Sequence, residues 1–248
     1  MSQQADLESQ YGRYAEAAGT IDTLQAFLAG QRAAAPDDLP LGLQALGLYR
    51  TQRILATRRD DAAGAAVAAA AAAREAERLA AAHPGVPELL EPAVWEHAEA
   101  AAVAEQAGDA RATVAARRRA VAAAERWRAA APANPDAANA AATLFDLLGT
   151  ALVAAGDLPG AAAACDRAEA AYADPLLTAA GEVRRTKGDL GDVRVNRGWV
   201  ALKAGDPTTA DAKFADAEAV RRELAAAFPG DPLRSYAVDA RSHRFRLV

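Results

Sequence analysis

The stretch RELAAAFPGDP, residues 222–232, has three relatives elsewhere in the chain. Each relative is a run of small residues closed by a proline: GQRAAAP ends at Pro36, RLAAAHP at Pro84 and RWRAAAP at Pro132. Those three prolines lie 48 residues apart, and Pro229 follows Pro132 at twice that spacing plus one residue. A sequence motif that recurs at a constant interval indicates a repeated structural unit. We therefore infer a repeat with a period of 48 residues.

A second marker, out of phase with the prolines, keeps the same step. It consists of glycines, three of them followed by aspartate: Gly12, Gly108, Gly156 and Gly205. Asp60 occupies the position at which the spacing predicts a further glycine. Glycine favours the left-handed backbone that ends many helices, and aspartate caps the helix that follows. Because proline then stops that second helix, each unit is predicted to be two antiparallel helices of about 18 to 22 residues.

The composition favours helices that pack through small side chains. Hydrophobic residues make up 52% of the 248-residue chain, but Leu, Ile, Val and Phe supply only 45 residues, so most of the apolar content is alanine. Alanine is the strongest helix former, and no stretch alternates apolar and polar residues with period 2. With a net charge of only −5, the chain does not have the composition of a disordered protein. We predict an all-α fold.

Small side chains at fixed offsets from the turns predict where helices approach closely. The eleventh residue after the turn aspartate is Ala72, Ala120, Ala168 or Ala217, and the fourth is Ala65, Thr113, Ala161 or Ala210. Gly149 and Gly198 each precede a turn glycine by seven residues. Large side chains are expected to fill the remaining gaps: Phe145, Leu148, Leu152, Phe214 and Leu224.

Two units resemble the tetratricopeptide repeat. LFDLLGTALVAAGDLPGAAAACDRAEA, residues 144–170, matches its pattern at Leu148, Gly149, Leu152, Gly156, Ala161 and Ala168. VNRGWVALKAGDPTTADAKFADAEA, residues 195–219, matches at Gly198, Gly205, Ala210, Phe214 and Ala217. Other units depart from it, with Arg53, Asp60 and Ala101 in small-residue slots, and the usual repeat has about 34 residues. The resemblance is to a long-helix variant, and it implies a right-handed TPR-like α-solenoid whose first helices line a concave, peptide-binding groove.

The repeat predicts one solenoid domain over residues 1–248, with about five helix pairs. Its units are 1–35, 36–83, 84–131, 132–179 and 180–228, followed by a terminal helix over 229–248. Pro175 comes early for the repeat, so the second helix of the fourth unit should be short. Clustered glycines beyond it favour a helix kinked or broken near Gly188 and Asp189. The terminal helix keeps the apolar side chains Leu233, Tyr236, Phe245 and Leu247, so it could cap the stack imperfectly, dock on another chain, or mark where a longer protein was cut.

Residues that could perform chemistry are few and scattered. Glu96, His97 and Glu99 are interpreted as a solvated helix face and Cys165 as a buried thiol, since no recognisable catalytic or metal-binding motif surrounds them. The three arginines at 117–119 are likewise interpreted as a solvated face, because the chain is acidic overall. The expectation is a protein without enzymatic activity, without metal or cofactor, and without affinity for nucleic acid.

If the family geometry holds, one set of first-helix residues faces the groove and binds a protein or peptide partner: Arg50, Trp95, Glu99, Asp146, Asn196, Trp199 and Lys203. Trp95 and Trp199 are either interaction hot spots or core fillers. The alternative function is a structural module that self-assembles through its helix ends, with the C-terminal helix as the contact. The polar amino terminus and the shortness of the apolar runs predict a cytoplasmic protein without membrane association.

Overall fold

The computed structural model of the chain describes residues 14–179 and 183–228. The regular structure of these residues is entirely helical, with no strand among them. The α-helices are α1 (Tyr14–Ala34), α2 (Leu39–Arg58), α3 (Ala62–Ala82), α4 (Leu90–Gln106), α5 (Ala110–Ala130), α6 (Pro135–Ala154), α7 (Leu158–Tyr172), α8 (Pro175–Ala179), α9 (Val183–Lys203) and α10 (Pro207–Ala227). A 3-10 turn, Pro87–Leu89, precedes α4. Gly12 and the predicted terminal helix over 229–248 lie outside the described residues.

The chain divides into two compact units, Met1–Trp127 (unit 1) and Arg128–Val248 (unit 2). Unit 1 contains α1, the pair α2 and α3, and α4 with most of α5. Unit 2 contains the pair α6 and α7 and the pair α9 and α10, with α8 between the pairs. Each pair is joined by a tight turn and is therefore antiparallel. This is the all-α, TPR-like helical-repeat architecture that the sequence predicts, while the extent of a single domain over 1–248 stays a prediction.

The turns within the pairs have the predicted chemistry. Gly108, Gly156 and Gly205 have φ angles of +72°, +80° and +80°, and Asp60 takes the same left-handed conformation with φ +57°. The aspartate after each turn caps the next helix by accepting a hydrogen bond from a backbone N–H three residues on: Asp61 from Gly64, Asp109 from Ala112, Asp157 from Gly160 and Asp206 from Thr209. The 48-residue spacing of the turn marker therefore corresponds to one helix pair.

Close packing occurs at the predicted small residues. All eight alanine and threonine positions after the turns are buried, and so are Phe145, Leu148, Leu152, Phe214 and Leu224. A Cβ added to Gly198 would lie 2.6 Å from Cε1 of Phe214, and one added to Gly149 would lie 2.9 Å from Sγ of Cys165. The paired helices are therefore in contact through backbone at these two glycines.

The irregular unit differs from the prediction in one respect. The second helix of that unit, α7, is short as expected, with 15 residues. The predicted break near Gly188 and Asp189 is wrong, because α9 runs without interruption through both residues. Gly191 and Gly198 bring α9 against α10, and this tertiary packing outweighs the low helix propensity of glycine.

Polar contacts between helices also recur at the period of the repeat. Side chains on equivalent helices of neighbouring pairs bind each other at sequence separations close to the period: 46 residues for Arg50 and Glu96, 49 for Glu77 and Arg126, 44 for Glu169 and Lys213, and 50 for Asp146 and Asn196. These contacts tie each helix pair to the next within its unit.

Helix α6 is the most apolar element of unit 2. Among the described helices, it alone has the length and composition that would allow it to cross a membrane. However, 61% of its most apolar window is buried inside the protein. Leu144, Phe145 and Leu152 are among its buried side chains, as expected of a core helix.

Candidate interaction surface

In unit 1, α2 and α4 are joined by two ion pairs. Arg50 Nε donates to Glu96 Oε1 at 2.5 Å, and Arg53 Nη1 donates to Glu99 Oε2 at 2.6 Å. Glu96 is only 2% exposed, whereas Glu99 lies on the surface. The predicted groove residues Arg50 and Glu99 are thus each bound to a residue that the predicted set lacks.

The interpretation of Glu96, His97 and Glu99 as one solvated face is wrong for the first two. His97 is 7% exposed, and its Nε2 lies 3.1 Å from Oε1 of Glu77, which also accepts from Arg126 at 2.7 Å. Burial lowers the pKa of His97, and Glu77 opposes that shift. Burial raises the pKa of Glu77, but Arg126 and His97 outweigh it and hold the pKa below its usual range. Both side chains are buried with a partner from another helix, Arg50 of α2 for Glu96 and Glu77 of α3 for His97.

The arginine cluster needs a similar correction. Arg118 and Arg119 are exposed as predicted, but Arg117 is buried. Its guanidinium lies 3.5 Å from the carbonyl oxygen of Ala98 and 3.5 Å from Oε2 of Glu105. Arg117 therefore contributes to the packing of α5 on α4 rather than to a solvated face.

In unit 2, the structure brings two of the predicted groove residues into contact. Asn196 Nδ2 on α9 donates to Oδ1 of Asp146 on α6 at 2.9 Å. Lys203 follows Asn196 by two helical turns and is exposed. Burial raises the pKa of Asp146, the hydrogen bond from Asn196 lowers it, and the nearby charge of Asp192 raises it, with a net increase.

The two tryptophans have different environments. Trp95 in unit 1 is 38% exposed. Trp199 in unit 2 is half-buried and packs edge-on against Phe214, with ring centroids 5.6 Å apart and an interplanar angle of 73°. Ala201, Ala210 and Phe214 form a core cluster against which Trp199 lies. Trp199 therefore contributes to the stability of unit 2, while Trp95 is available on the surface.

Cys165 is a buried thiol, as predicted. It is fully buried against Gly149, and burial raises its pKa to about 12. A thiol with that pKa is protonated at neutral pH and is a poor nucleophile. In residues 14–179 and 183–228, no group of three or more His, Cys, Asp or Glu side chains is placed to hold a metal ion.

Sequence reasoning missed an open cleft in unit 1. It has a volume of about 540 Å³ and lies between α1, α2 and α3, where Ile21, Leu55 and Ala68 are buried and Val67 is exposed at its edge. Ion pairs occupy the corresponding seam of unit 2, between α7, α9 and α10: Asp166 with Arg197, and Glu169 with both Arg194 and Lys213. The sequence signal for this difference is that Gln25, Tyr49 and Gln52 line the seam of unit 1, whereas Glu169, Arg194 and Arg197 lie in the seam of unit 2.

No protein-family model and no curated protein matches the chain. Among solved structures, the crystal structure of BtubC (BKLC) from P. vanneervenii has a TM-score of 0.56 at 19% identity, over 92% of this chain and 79% of that one. The MamA protein is 13% identical over 73% of this chain and 94% of that one, with a TM-score of 0.37. PilW, a widely conserved type IV pilus biogenesis factor, is 14% identical over 96% of each chain, with a TM-score of 0.34. The similarity to BtubC shows the fold alone. This fold places the chain in the class of all-α helical-repeat proteins.

Proposed function

We propose that the protein is a non-enzymatic interaction scaffold, which binds a peptide or protein segment along the first helices of its pairs. The observation that carries this proposal is Trp95, exposed on α4 one turn before Glu99. Exposed tryptophan beside fixed polar groups has the composition of an interaction hot spot. A cytoplasmic location is part of the same proposal, and fractionation of the source cells tests it.

The pairing of charges around Trp95 supports the proposal. Arg50 and Arg53 are already bound to Glu96 and Glu99, so a partner does not have to order these long side chains on binding. Side chains fixed in advance reduce the entropy lost on association. The surface of unit 1 beside Trp95 is therefore suited to an apolar or aromatic anchor of the partner segment.

The test is affinity capture from a lysate of the source cell, followed by titration of the captured protein. We expect Trp95→Ala to weaken binding about thirtyfold or more, since a tryptophan hot spot contributes at least about 2 kcal/mol. Phe27→Ala is the matched control, because Phe27 is an exposed aromatic residue on a different helix, α1. Equal affinity of the two variants would contradict the proposal. Trp199→Ala is less informative, since Trp199 packs against Phe214 and its loss is expected to destabilise unit 2.

Self-assembly is the second candidate function. Phe228, at the end of α10, is 38% exposed and offers an apolar contact to another copy. Concentration-dependent mass separates the two functions, because a segment-binding scaffold is expected to stay monomeric. Recovery of only the chain itself, equally by wild type and Trp95→Ala, would favour self-assembly.

A further inference from the structure

The open cleft of unit 1, between α1, α2 and α3, occupies the same place in the repeat as a seam that charged side chains close in unit 2. In that seam, Arg197 Nε on α9 donates to Asp166 Oδ1 on α7 at 2.7 Å. Glu169 on α7 accepts from Arg194 at 2.8 Å and from Lys213 of α10 at 2.6 Å. Three cations on α9 and α10 therefore close the seam of unit 2 by binding two carboxylates of α7.

The spacing of the turns gives each of these residues an equivalent in unit 1. Asp22 and Asp166 both follow their turn glycine by ten residues, so the carboxylate that receives Arg197 is retained. The three cations are replaced by uncharged residues at equal distances from the turn: Tyr49 for Arg194, Gln52 for Arg197 and Ala68 for Lys213. Unit 1 thus keeps the acceptor of the ion pair and lacks its donor.

The carboxylate of Asp22 is exposed at the cleft. Within residues 14–179 and 183–228, no hydrogen bond or ion pair reaches it, and Arg59, which also lines the cleft, is not paired with it. Asp61, the other carboxylate of the cleft, accepts from the backbone N–H of Gly64 at the start of α3. Asp22 is therefore available to a cation from outside the chain.

The cleft has room for such a cation and an apolar surface for its hydrocarbon stem. Its volume of about 540 Å³ lies in the range of about 300–1,000 Å³ that is usual for ligand sites. Ile21 and Leu55 are buried in its wall, and Val67 is exposed at its edge. Arginine packs its methylene groups on apolar surface while its charged end stays with polar groups. The amide oxygens of Gln25 and Gln52 supply further acceptors in the lining.

We propose that the cleft binds an arginine side chain of a protein or peptide segment, with the guanidinium on Asp22 and the stem against Ile21 and Leu55. The incoming arginine takes the place that Arg197 has in unit 2. Arginine is favoured over lysine because its planar guanidinium can bind a carboxylate through two parallel hydrogen bonds. Trp95 is not among the residues that line the cleft, so this second site goes beyond the proposed function and is tested separately.

Gln52→Arg tests the equivalence of the two seams in the full chain without a ligand. The new arginine should pair with Asp22 as Arg197 pairs with Asp166, and so raise the melting temperature. Asp22→Asn should abolish that gain, whereas Asp216→Asn, which removes the same charge from an exposed position on α10, should leave it unchanged. Thermal unfolding of the single and double variants measures this coupling. Its absence would overturn the inference.

Binding is tested by selecting from a displayed library of random 12-residue peptides on the full chain, with the folded Gln52→Arg variant used to remove peptides that bind elsewhere. We expect the remaining peptides to share an arginine, and their affinity to fall about tenfold or more in Asp22→Asn but not in Asp216→Asn. Helical circular dichroism checks that each variant is folded. Replacing the shared arginine by citrulline, which is uncharged, should weaken binding to wild type and cause no further loss with Asp22→Asn.

The response of the peptides to Asp22→Asn decides between the outcomes. A shared arginine whose effect disappears in this variant supports the inference. Peptides without a shared arginine, or peptides that bind the variant as tightly as wild type, overturn it. Failure to select any peptide that is sensitive to Gln52→Arg also overturns it. The scaffold function is unaffected by each of these results, because its own test depends on Trp95→Ala.

Discussion

At the scale of single residues, glycines allow paired helices to approach closely, because glycine has no side chain. Gly198 lies so close to Phe214 that three ring atoms fall within 3.0 Å of an added Cβ. Gly188 on the same helix has open space at its Cβ position. The same residue type thus has different roles on one helix, and only the packing partner distinguishes them.

Gly198→Ala is expected to lower the free energy of unfolding by about 1–3 kcal/mol, because the new methyl group overpacks the contact with Phe214. Gly188→Ala should instead stabilise the protein by about 0.5–1 kcal/mol, since alanine is the better helix former and meets no obstacle. Urea denaturation of both variants checks the prediction. Two changes of the same sign and size would show that helix propensity alone decides them.

At the scale of helices and turns, Asp60 is the exception that tests the turn chemistry. It adopts a left-handed backbone, with φ +57°, where the other turns have glycine. The conformation is unfavourable for residues with a Cβ. The turn nevertheless forms, since Asp61 caps α3 and the backbone N–H of Asp61 bonds to the carbonyl of Ala56.

Asp60→Gly should stabilise unit 1 by up to about 1 kcal/mol, because glycine adopts positive φ without steric cost. The reciprocal change Gly156→Ala should destabilise unit 2 by a similar amount, since its φ is +80°. Thermal unfolding monitored by circular dichroism measures both effects. A lower melting temperature for Asp60→Gly would refute the argument.

At the scale of the whole molecule, buried charges of unit 1 predict a dependence of stability on pH. The pKa of His97 in the folded protein lies below its ordinary value of 6.5, through burial. Glu77 faces it as a counter-charge, while Arg119 and Arg126 oppose its protonation. Its contribution is therefore complete above pH 6.5 and is lost as the pH falls through the folded-state pKa.

Wild type should thus lose stability on acidification below pH 6.5 more steeply than His97→Gln, which cannot take up the proton. Chemical denaturation between pH 5 and 8 measures the difference. The stabilisation from ionised Glu77 is constant in this range, because its pKa is lowered from 4.5 and the contribution is lost only as the pH falls further. Parallel pH profiles of wild type and variant would contradict the assignment.

Two carboxylates of unit 2, Asp146 and Asp189, respond to pH in the opposite direction. The pKa values of Asp146 and Asp189 are raised above 3.8 by burial, so ionisation costs stability as the pH rises through them. Asp189→Asn should therefore stabilise the folded chain at pH 7, since asparagine resembles the protonated carboxyl. A melting temperature measured at pH 7 checks this, and a decrease would contradict the assignment of a burial cost to the Asp189 carboxylate.

The sequence alone determined the all-α helix pairs, the turn chemistry and the small contact residues, because these follow from local propensity and from a period written into the chain. Residues such as Ala168 and Gly198 could be placed on packing faces from their offsets alone. Tertiary structure decided which charges are buried, since burial depends on helices distant in sequence: Glu77 and Arg126 enclose His97, and Phe214 covers Trp199. It also kept α9 continuous through Gly188, an outcome that packing sets and that no local pattern of residues encodes.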